Sequence, residues 1–295
     1  MSSIIVEIPN IAKRFNIPTY TTGNIPSNLS AGELIYNLDE SIVYLYDGFK
    51  LIKINQETNI EIPGIATNGL IFEVDAANTF SYPGSGSIWY DASYQKNNLS
   101  LVNSPTFVNS DEIYFNFDGS DDRGIGPSSL SGKSTTQMTL EIWTRPDSTT
   151  QRTTLMSKWG RSTLGNFSWL FFLNWFAQGN IYFLVGNSAG TSYSGHSIAH
   201  NFSTSVYSHF AVTYNSGAIR MYRNGEFIAA SSSGNTTLKD VPTPFAIGLD
   251  YDTGTGDNPY RHYDGRIPVS RVYNRILTDA EVQNNFNAVK SRFGL

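Results

Sequence analysis

Cysteine is absent from the 295 residues, so no disulfide framework, thiolate metal site or cysteine nucleophile is available. Charge is sparse: 15% of residues are charged, with 20 Lys+Arg against 25 Asp+Glu and a formal net charge of −5. That balance gives no electrostatic reason to expect a nucleic-acid partner. No apolar run approaches the ~20 residues needed to cross a bilayer, so membrane insertion is not expected. The opening segment Met1–Pro9 has no basic stretch leading into a long apolar one, and does not read as a secretory signal. What is abundant is aromatic: 5 Trp, 17 Tyr and 18 Phe, punctuated by 25 Gly and 12 Pro. This load excludes a disordered chain and fits a soluble β-rich protein with one large domain and an appendage.

Pro9, Pro18 and Pro26 interrupt the first 30 residues, each removing a backbone donor and breaking a helix or central strand. The apolar residues there, from Ile4 to Ile17, are too few to bury one another. Residues 1–30 therefore read as an extended N-terminal arm, ordered by packing on a neighbouring subunit. Residues 31–62 read as a small β-module with strands Glu33–Asn37, Ile42–Tyr46 and Phe49–Ile54, the last reached through an Asp47-Gly48 hairpin turn. Three short strands lie at the limit of independent stability, which favours self-association. A linker, 63–69, leads into the large domain, 70–295.

That domain is a succession of strand-sized runs between turn signals. In His209–Tyr214 the large residues Phe210, Val212 and Tyr214 share one face. Asn224-Gly225 predicts a type I′ hairpin, and Pro268, inside an otherwise good strand, predicts an edge or a bulge. One helix is expected, 279–293. Thr278 and Glu281 make a capping box, Leu277 and Val282 a hydrophobic staple, and Val282, Phe286, Val289 and Phe293 an apolar stripe. The fold class expected is all-β: a jelly-roll β-sandwich with an N-terminal arm, a small β-module and a C-terminal helix.

Several segments carry a resemblance. They are Gly69–Asn78 with Ser81–Gly86, Phe115–Asp122, His209–Tyr214, Tyr222–Glu226, Asp264–Ile267, Arg271–Val282 and Asn285–Leu295. In their order and spacing, residues 69–295 resemble the concanavalin A-like/laminin-G-like jelly roll found in many bacteriophage virion proteins. The stretch Gly32–Asn37 with Leu45–Gly48 is similar to a short β-module near the N-termini of phage tail-fibre and head-fibre proteins. The resemblance implies a virion location, capsid decoration or tail fibre, with other virion proteins bound through residues 1–60. It further implies a homotrimer and a lectin-like domain facing host-surface glycans.

No catalytic residue is assigned. Glu73 and Asp75, an i, i+2 pair on one strand face, are the sole arrangement resembling the two carboxylates of a glycan hydrolase. Asp118, Asp121 and Asp122 around Gly119 have the oxygen-rich character of a Ca²⁺ loop. An Asx-turn, in which the carboxylates accept backbone N–H groups, also explains them and is preferred because EF-hand spacing is missing. No other cofactor is expected. His196 and His200 have zinc-like i, i+4 spacing but lie among loop residues without a visible third ligand. For carbohydrate, the candidates are Tyr251, Asp252, Asn258, Tyr260 and His262 in one loop, joined by Trp159 from another. Flat rings beside amide and carboxylate groups can stack on a sugar and bond its hydroxyls, or else pack the loop or a subunit interface. Trp143, Trp169, Trp175 and Phe171-Phe172 read as core.

Overall fold

The computed structural model describes residues 3–6, 15–27, 29, 33–40, 42–46, 51–54, 64–160, 166–174, 177–199, 203–252, 256–257 and 261–295. Contacts divide the chain into units 1–62 and 63–295. In the first, strands Ser3–Val6, Phe15–Tyr20, Leu34–Asn37, Ile42–Tyr46 and Leu51–Ile54 form one sheet in chain order. The first two pair with each other, and Thr19 and Tyr20 then run parallel to Tyr36 and Asn37. The division expected at residue 30 thus gives way. Backbone pairing joins Ser3–Val6 and Phe15–Tyr20 to the module's sheet, a resource that counting apolar side chains leaves out. The Asp47-Gly48 turn lies outside the described residues.

Among the described residues the second unit holds two eight-stranded sheets and a two-stranded ribbon, all antiparallel. The first large sheet is built around Asp264–Tyr273, flanked on one side by Gln137–Pro146 and then Ser208–Asn215, Ala218–Arg223 and Glu226–Ser232. Its other side is shared: Ile113–Asp118 pairs with Asp264–Ile267, and Leu70–Asp75 with Val269–Tyr273. Pro268 falls in the gap between these two neighbours, opposite a register shift between Trp143 and Arg145. A residue without an N–H is thereby placed where the ladder is interrupted, as the expected bulge requires. The second sheet runs from Tyr193–Ala199 through Asn180–Gly186, Phe167–Leu173 and Thr153–Trp159 to Ile88–Trp89.

The two sheets enclose one apolar core. Leu140, Ile142, Phe210 and Val212 of the first meet Met156, Phe171, Phe183 and Ile247 of the second, which is the interior of a β-sandwich. The central strands are buried on their outer faces as well. Ala211, Tyr222 and Tyr273 pack with Leu277 and Val282, and Trp143 with Phe286 and Val289 of the C-terminal helix. Trp143 stacks on Phe286 with ring centroids 5.4 Å apart.

That helix, Asp279–Lys290, continues as a 3₁₀ turn to Phe293 and ends at Gly294 in the left-handed region (φ 70°). Thr278 Oγ1 accepts from Glu281 N–H (3.2 Å) while Glu281 Oε2 accepts from Thr278 N–H (2.9 Å), completing the capping box. Thr278→Ala is expected to cost about 1 kcal/mol, read from denaturation followed by tryptophan fluorescence. The Asn224-Gly225 turn has both residues at positive φ (49° and 80°), the type I′ signature. A Cβ on Gly225 would stand 2.7 Å from Gln283 Nε2 and 3.0 Å from Phe286 Cβ, so the hairpin tip is seated against the helix.

A buried polar cluster lies under the helix. Asn285 donates to Glu141 Oε2 (2.8 Å) and to the Tyr273 hydroxyl (3.0 Å), and accepts from Ala66 N–H (2.7 Å). Glu141 lies 3.8 Å from Arg271 Nη1 and 3.8 Å from His209 Nε2, and Arg271 Nε bonds Glu73 Oε1 at 2.8 Å. Burial, opposed by Arg271 and Asn285, pushes the Glu141 carboxyl up to about 7. Burial, reinforced by Arg271, pushes His209 down to about 3. Between those values both side chains hold their uncharged forms.

Candidate functional site

A depression of about 530 Å³ opens on the surface of the second unit, lined by Asn78, Phe80, Tyr90, Asp91, Ala92, Lys96 and Asn98. Two loops build it, and buried anchors fix both. In the first, Asn78 turns the chain: its Oδ1 accepts from Phe80 N–H (3.0 Å) and its carbonyl from the N–H groups of Ser81 and Tyr82 (2.8 Å each). Ser81 is fully buried and ties the loop down, its Oγ donating to Tyr90 O (2.6 Å) and accepting from Asp75 N–H (3.1 Å). Phe80 is thereby lifted outward, 89% exposed.

In the second loop, Trp89 enters the core, its ring 4.6 Å from that of Phe115. Tyr90 therefore points the other way and is 43% exposed. Asp91 is buried and gathers four bonds. Oδ1 accepts from the N–H groups of Glu73 (2.9 Å) and Ser93 (2.8 Å), and Oδ2 from Ser93 Oγ (2.8 Å) and Asn97 N–H (2.6 Å). Buried Asn97 pins the far end, donating to Ile71 O (2.7 Å) and accepting from Ser131 N–H (2.9 Å). Lys96 (φ 57°) and Asn98 on either side of it are exposed, as is Tyr94 (93%) in the same loop. The result is two aromatic faces beside polar groups in a space of ligand size.

Of the carbohydrate candidates named from sequence, Trp159 and His262 have described side chains, and both are buried. Trp159 ends a strand rather than occupying a loop, and is 1% exposed, stacked on Phe167 at 4.5 Å. His262 is 2% exposed, and neighbouring Tyr263 is fully buried against Thr144. At 1% and 2% exposure, neither Trp159 nor His262 offers a ring face to a ligand. Tyr251 and Asp252 lie in a two-residue strand paired with Gly256-Asp257. The side chains of Tyr251 and Asp252, and residues Asn258 and Tyr260 entirely, are outside what is described.

Asp118, Asp121 and Asp122 do converge, with one carboxylate oxygen from each within 4.8 Å of the others. Two of their acceptor oxygens serve backbone N–H groups of the turn itself. Asp118 Oδ1 takes the N–H groups of Ser120 (2.9 Å), Asp121 (3.2 Å) and Asp122 (3.4 Å), and Asp122 Oδ2 takes that of Asp118 (3.1 Å). This is the geometry of an Asx-turn. Burial raises Asp118, but the three N–H groups outweigh it and hold the carboxyl below its ordinary value. Burial and the Asp118 charge push Asp122 up to about 6.

Glu73 and Asp75 face the C-terminal segment instead of a cleft. Glu73 is bound to Arg271, and Asp75 receives both nitrogens of the Arg292 fork at 2.7 and 2.9 Å. Their strand neighbours Phe72 and Val74 fill the sandwich core, which sends the carboxylates to the opposite face. His196 lies on strand Tyr193–Ala199, and His200 is outside the described residues.

Sequence reading missed Phe80, Tyr90, Lys96 and Asn98. The usable signal was the in–out alternation around Trp89, Asp91 and Asn97, legible once those three are known to be buried.

No curated protein sequence matches the chain. Among solved structures, the binding domain of paraclostridial mosquitocidal protein 1 superposes with a TM-score of 0.55 at 17% identity, covering 75% of this chain and 52% of that one. The binding domain of botulinum neurotoxin DC in complex with SialylT gives 0.58 at 13%, covering 76% and 52%. The botulinum neurotoxin serotype D ligand-binding domain in complex with N-acetylneuraminic acid gives 0.53 at 13%, covering 74% and 50%. The chain thus spans about half the length of the structures it matches, and at these identities the likeness is one of fold. The profile of the concanavalin A-like lectin/glucanases superfamily (Laminin_G_3) matches residues 117–283, a span that begins beyond the 78–98 depression. With more than half of its length matched and a sandwich to carry it, the chain belongs to the concanavalin A-like lectin/glucanase superfamily.

Proposed function

We propose that residues 63–295 are a non-enzymatic glycan-binding module that presents the Phe80–Tyr90 depression to saccharides of a host surface. The observation that carries this reading is the pairing of two exposed aromatic faces with outward polar groups on a loop framework held by buried anchors. Aromatic faces stack on the C–H faces of sugar rings, and amide and ammonium groups bond the hydroxyls. The arginines that engage Glu73 and Asp75 favour binding over hydrolysis. Similarly folded binding domains of botulinum neurotoxins, in complex with SialylT and with N-acetylneuraminic acid, support the ligand class.

Simultaneous Phe80→Ala and Tyr90→Ala substitution is expected to weaken glycan binding about 10- to 100-fold, each ring contributing a kilocalorie or more of burial on binding. Melting should be unchanged, because both rings are exposed. Calorimetry on ligands found by glycan-array screening checks this, and undiminished affinity in the double variant would remove the site.

Residues 1–62 we assign to attachment: the chain is a capsid-decoration or fibre protein of a bacteriophage, a homotrimer bound to other virion proteins through residues 1–60. Support comes from the resemblance of Gly32–Asn37 and Leu45–Gly48 to phage fibre modules. Immunolabelling of purified particles tests the location and light scattering the trimer. Absence of the chain from particles ends the virion assignment and leaves the glycan module standing.

A further inference from the structure

The hydrogen-bonding capacity of the depression is one-sided. Asn78 Oδ1 is occupied by Phe80 N–H and Asn98 Oδ1 by Asp91 N–H (3.0 Å). Because a backbone N–H can be met only by an acceptor, these bonds fix which end of each amide is the oxygen, and neither Nδ2 has a hydrogen-bond partner among the described residues. The Asp91 carboxylate is consumed by its four internal donors. Lys96 Nζ makes one long bond, 3.4 Å to Asp91 O. Among the described residues no carboxylate lies within ion-pairing distance of it. Apart from the Tyr90 hydroxyl and a second lone pair on each Oδ1, the side-chain groups left to a ligand are two NH₂ groups and an ammonium. They are donors, and the exposed charge among them is the Lys96 ammonium, the Asp91 carboxylate being buried behind its own donors.

A neutral sugar presents hydroxyls, each of which needs acceptors as well as donors; a site for one ordinarily supplies both. A wall of donors around a cation instead matches an anionic group, with charge-assisted bonds shorter and roughly twice as strong as neutral ones. We infer that the depression takes an acidic saccharide, its carboxylate received by Lys96 with Asn78 and Asn98 while Phe80 and Tyr90 hold the ring. The inference rests on the glycan-binding reading above and specifies the class of sugar. Two classes carry this group, sialic acids and hexuronic acids, and the chemistry of reception is common to both.

The experiment uses the full chain and four probes: 3′-sialyllactose against lactose, and tri-galacturonic acid against its methyl ester. The expected result is that at least one acid binds about tenfold or more tightly than its neutral partner, and which acid does so distinguishes the two sources. The preference should shrink as salt rises from 50 to 500 mM. Lys96→Met should bring the acid to within about twofold of the neutral partner, the acid losing much more affinity than the neutral sugar. Equal binding of acid and neutral forms by the native chain overturns the inference but leaves the glycan reading intact. An acid preference that survives Lys96→Met overturns the assignment of the carboxylate to this site. Binding to none of the four probes and to no member of a glycan array overturns both.

Discussion

Replacing Lys158 by methionine is expected to destabilise the C-terminal unit by about 3–5 kcal/mol, lowering its melting temperature by about 10 °C. Lys158 is 3% exposed, and its ammonium donates to three backbone carbonyls, those of Ser128, Val241 and Thr243, with the Asp240 carboxylate 4.0 Å away. Burial lowers the ammonium to about 8, against the pull of Asp240, so it remains charged at neutral pH. The three acceptors belong to two separate loops, both fastened by a single side chain. Methionine keeps the volume and removes all three donors, leaving the buried carbonyls of Val241 and Thr243 without this partner. All five tryptophans lie beyond residue 63, so their fluorescence follows this unit alone. A variant melting within 2 °C of the native chain would sink the idea that Lys158 binds the loops together.

Glu141→Gln and His209→Phe should respond to acid in opposite directions. The folded value of Glu141, about 7, lies above its ordinary 4.5. Its contribution to stability is therefore complete below pH 4.5 and lost as pH rises through 7. The folded value of His209, about 3, lies below its ordinary 6.5. Its contribution is complete above pH 6.5 and lost as pH falls through 3. Between pH 4.5 and 6.5 folding takes up one proton at Glu141 and releases one at His209, and the two slopes cancel. Removing His209 leaves Glu141 unopposed, and that variant should gain about 1.4 kcal/mol per unit of acidification across this window. Removing Glu141 should lose the same amount per unit. Asp122, Glu73, Arg271 and Tyr273 are present in both variants and drop out of the comparison. Denaturation midpoints at pH 4.5, 5.5 and 6.5 check the result, and parallel profiles would falsify it.

Much of the architecture was legible because its signals are local. The capping box at Thr278, the Asn224-Gly225 turn and the apolar stripe from Val282 to Phe293 each act within a few residues, and each is found where expected. Trp159 was misplaced for a reason that is equally physical. Strand Thr153–Trp159 is buried along its whole length, so its Thr, Ser and Lys residues face inward and the alternation that marks a half-exposed strand is absent. Lys158-Trp159-Gly160 then looks like a polar loop when it is the end of a strand. The depression was missed because its order comes from distant pairings. Asp91 bonds the backbone of Glu73 and Asn97 that of Ser131, contacts between segments that no window along the chain compares. Conversely, the crowd of aromatics between Tyr251 and Tyr263 attracted attention by local density, while His262 and Tyr263 are spent on packing.

The interleaving of Trp89, Asp91 and Asn97 with Tyr90, Lys96 and Asn98 has an evolutionary consequence. Adjacent positions answer to different selection: the inward ones hold the loop, and the outward ones meet whatever approaches it. A lineage following a changing target can therefore rewrite Phe80, Tyr90 and Lys96 with little disturbance of the scaffold, since none of these side chains fills the core, whereas Asn98 also holds the Asp91 N–H. Libraries randomised at Phe80, Tyr90 and Lys96 should remain mostly folded while scattering in ligand preference. The loop is a cassette, and its exchangeable letters alternate with its fixed ones.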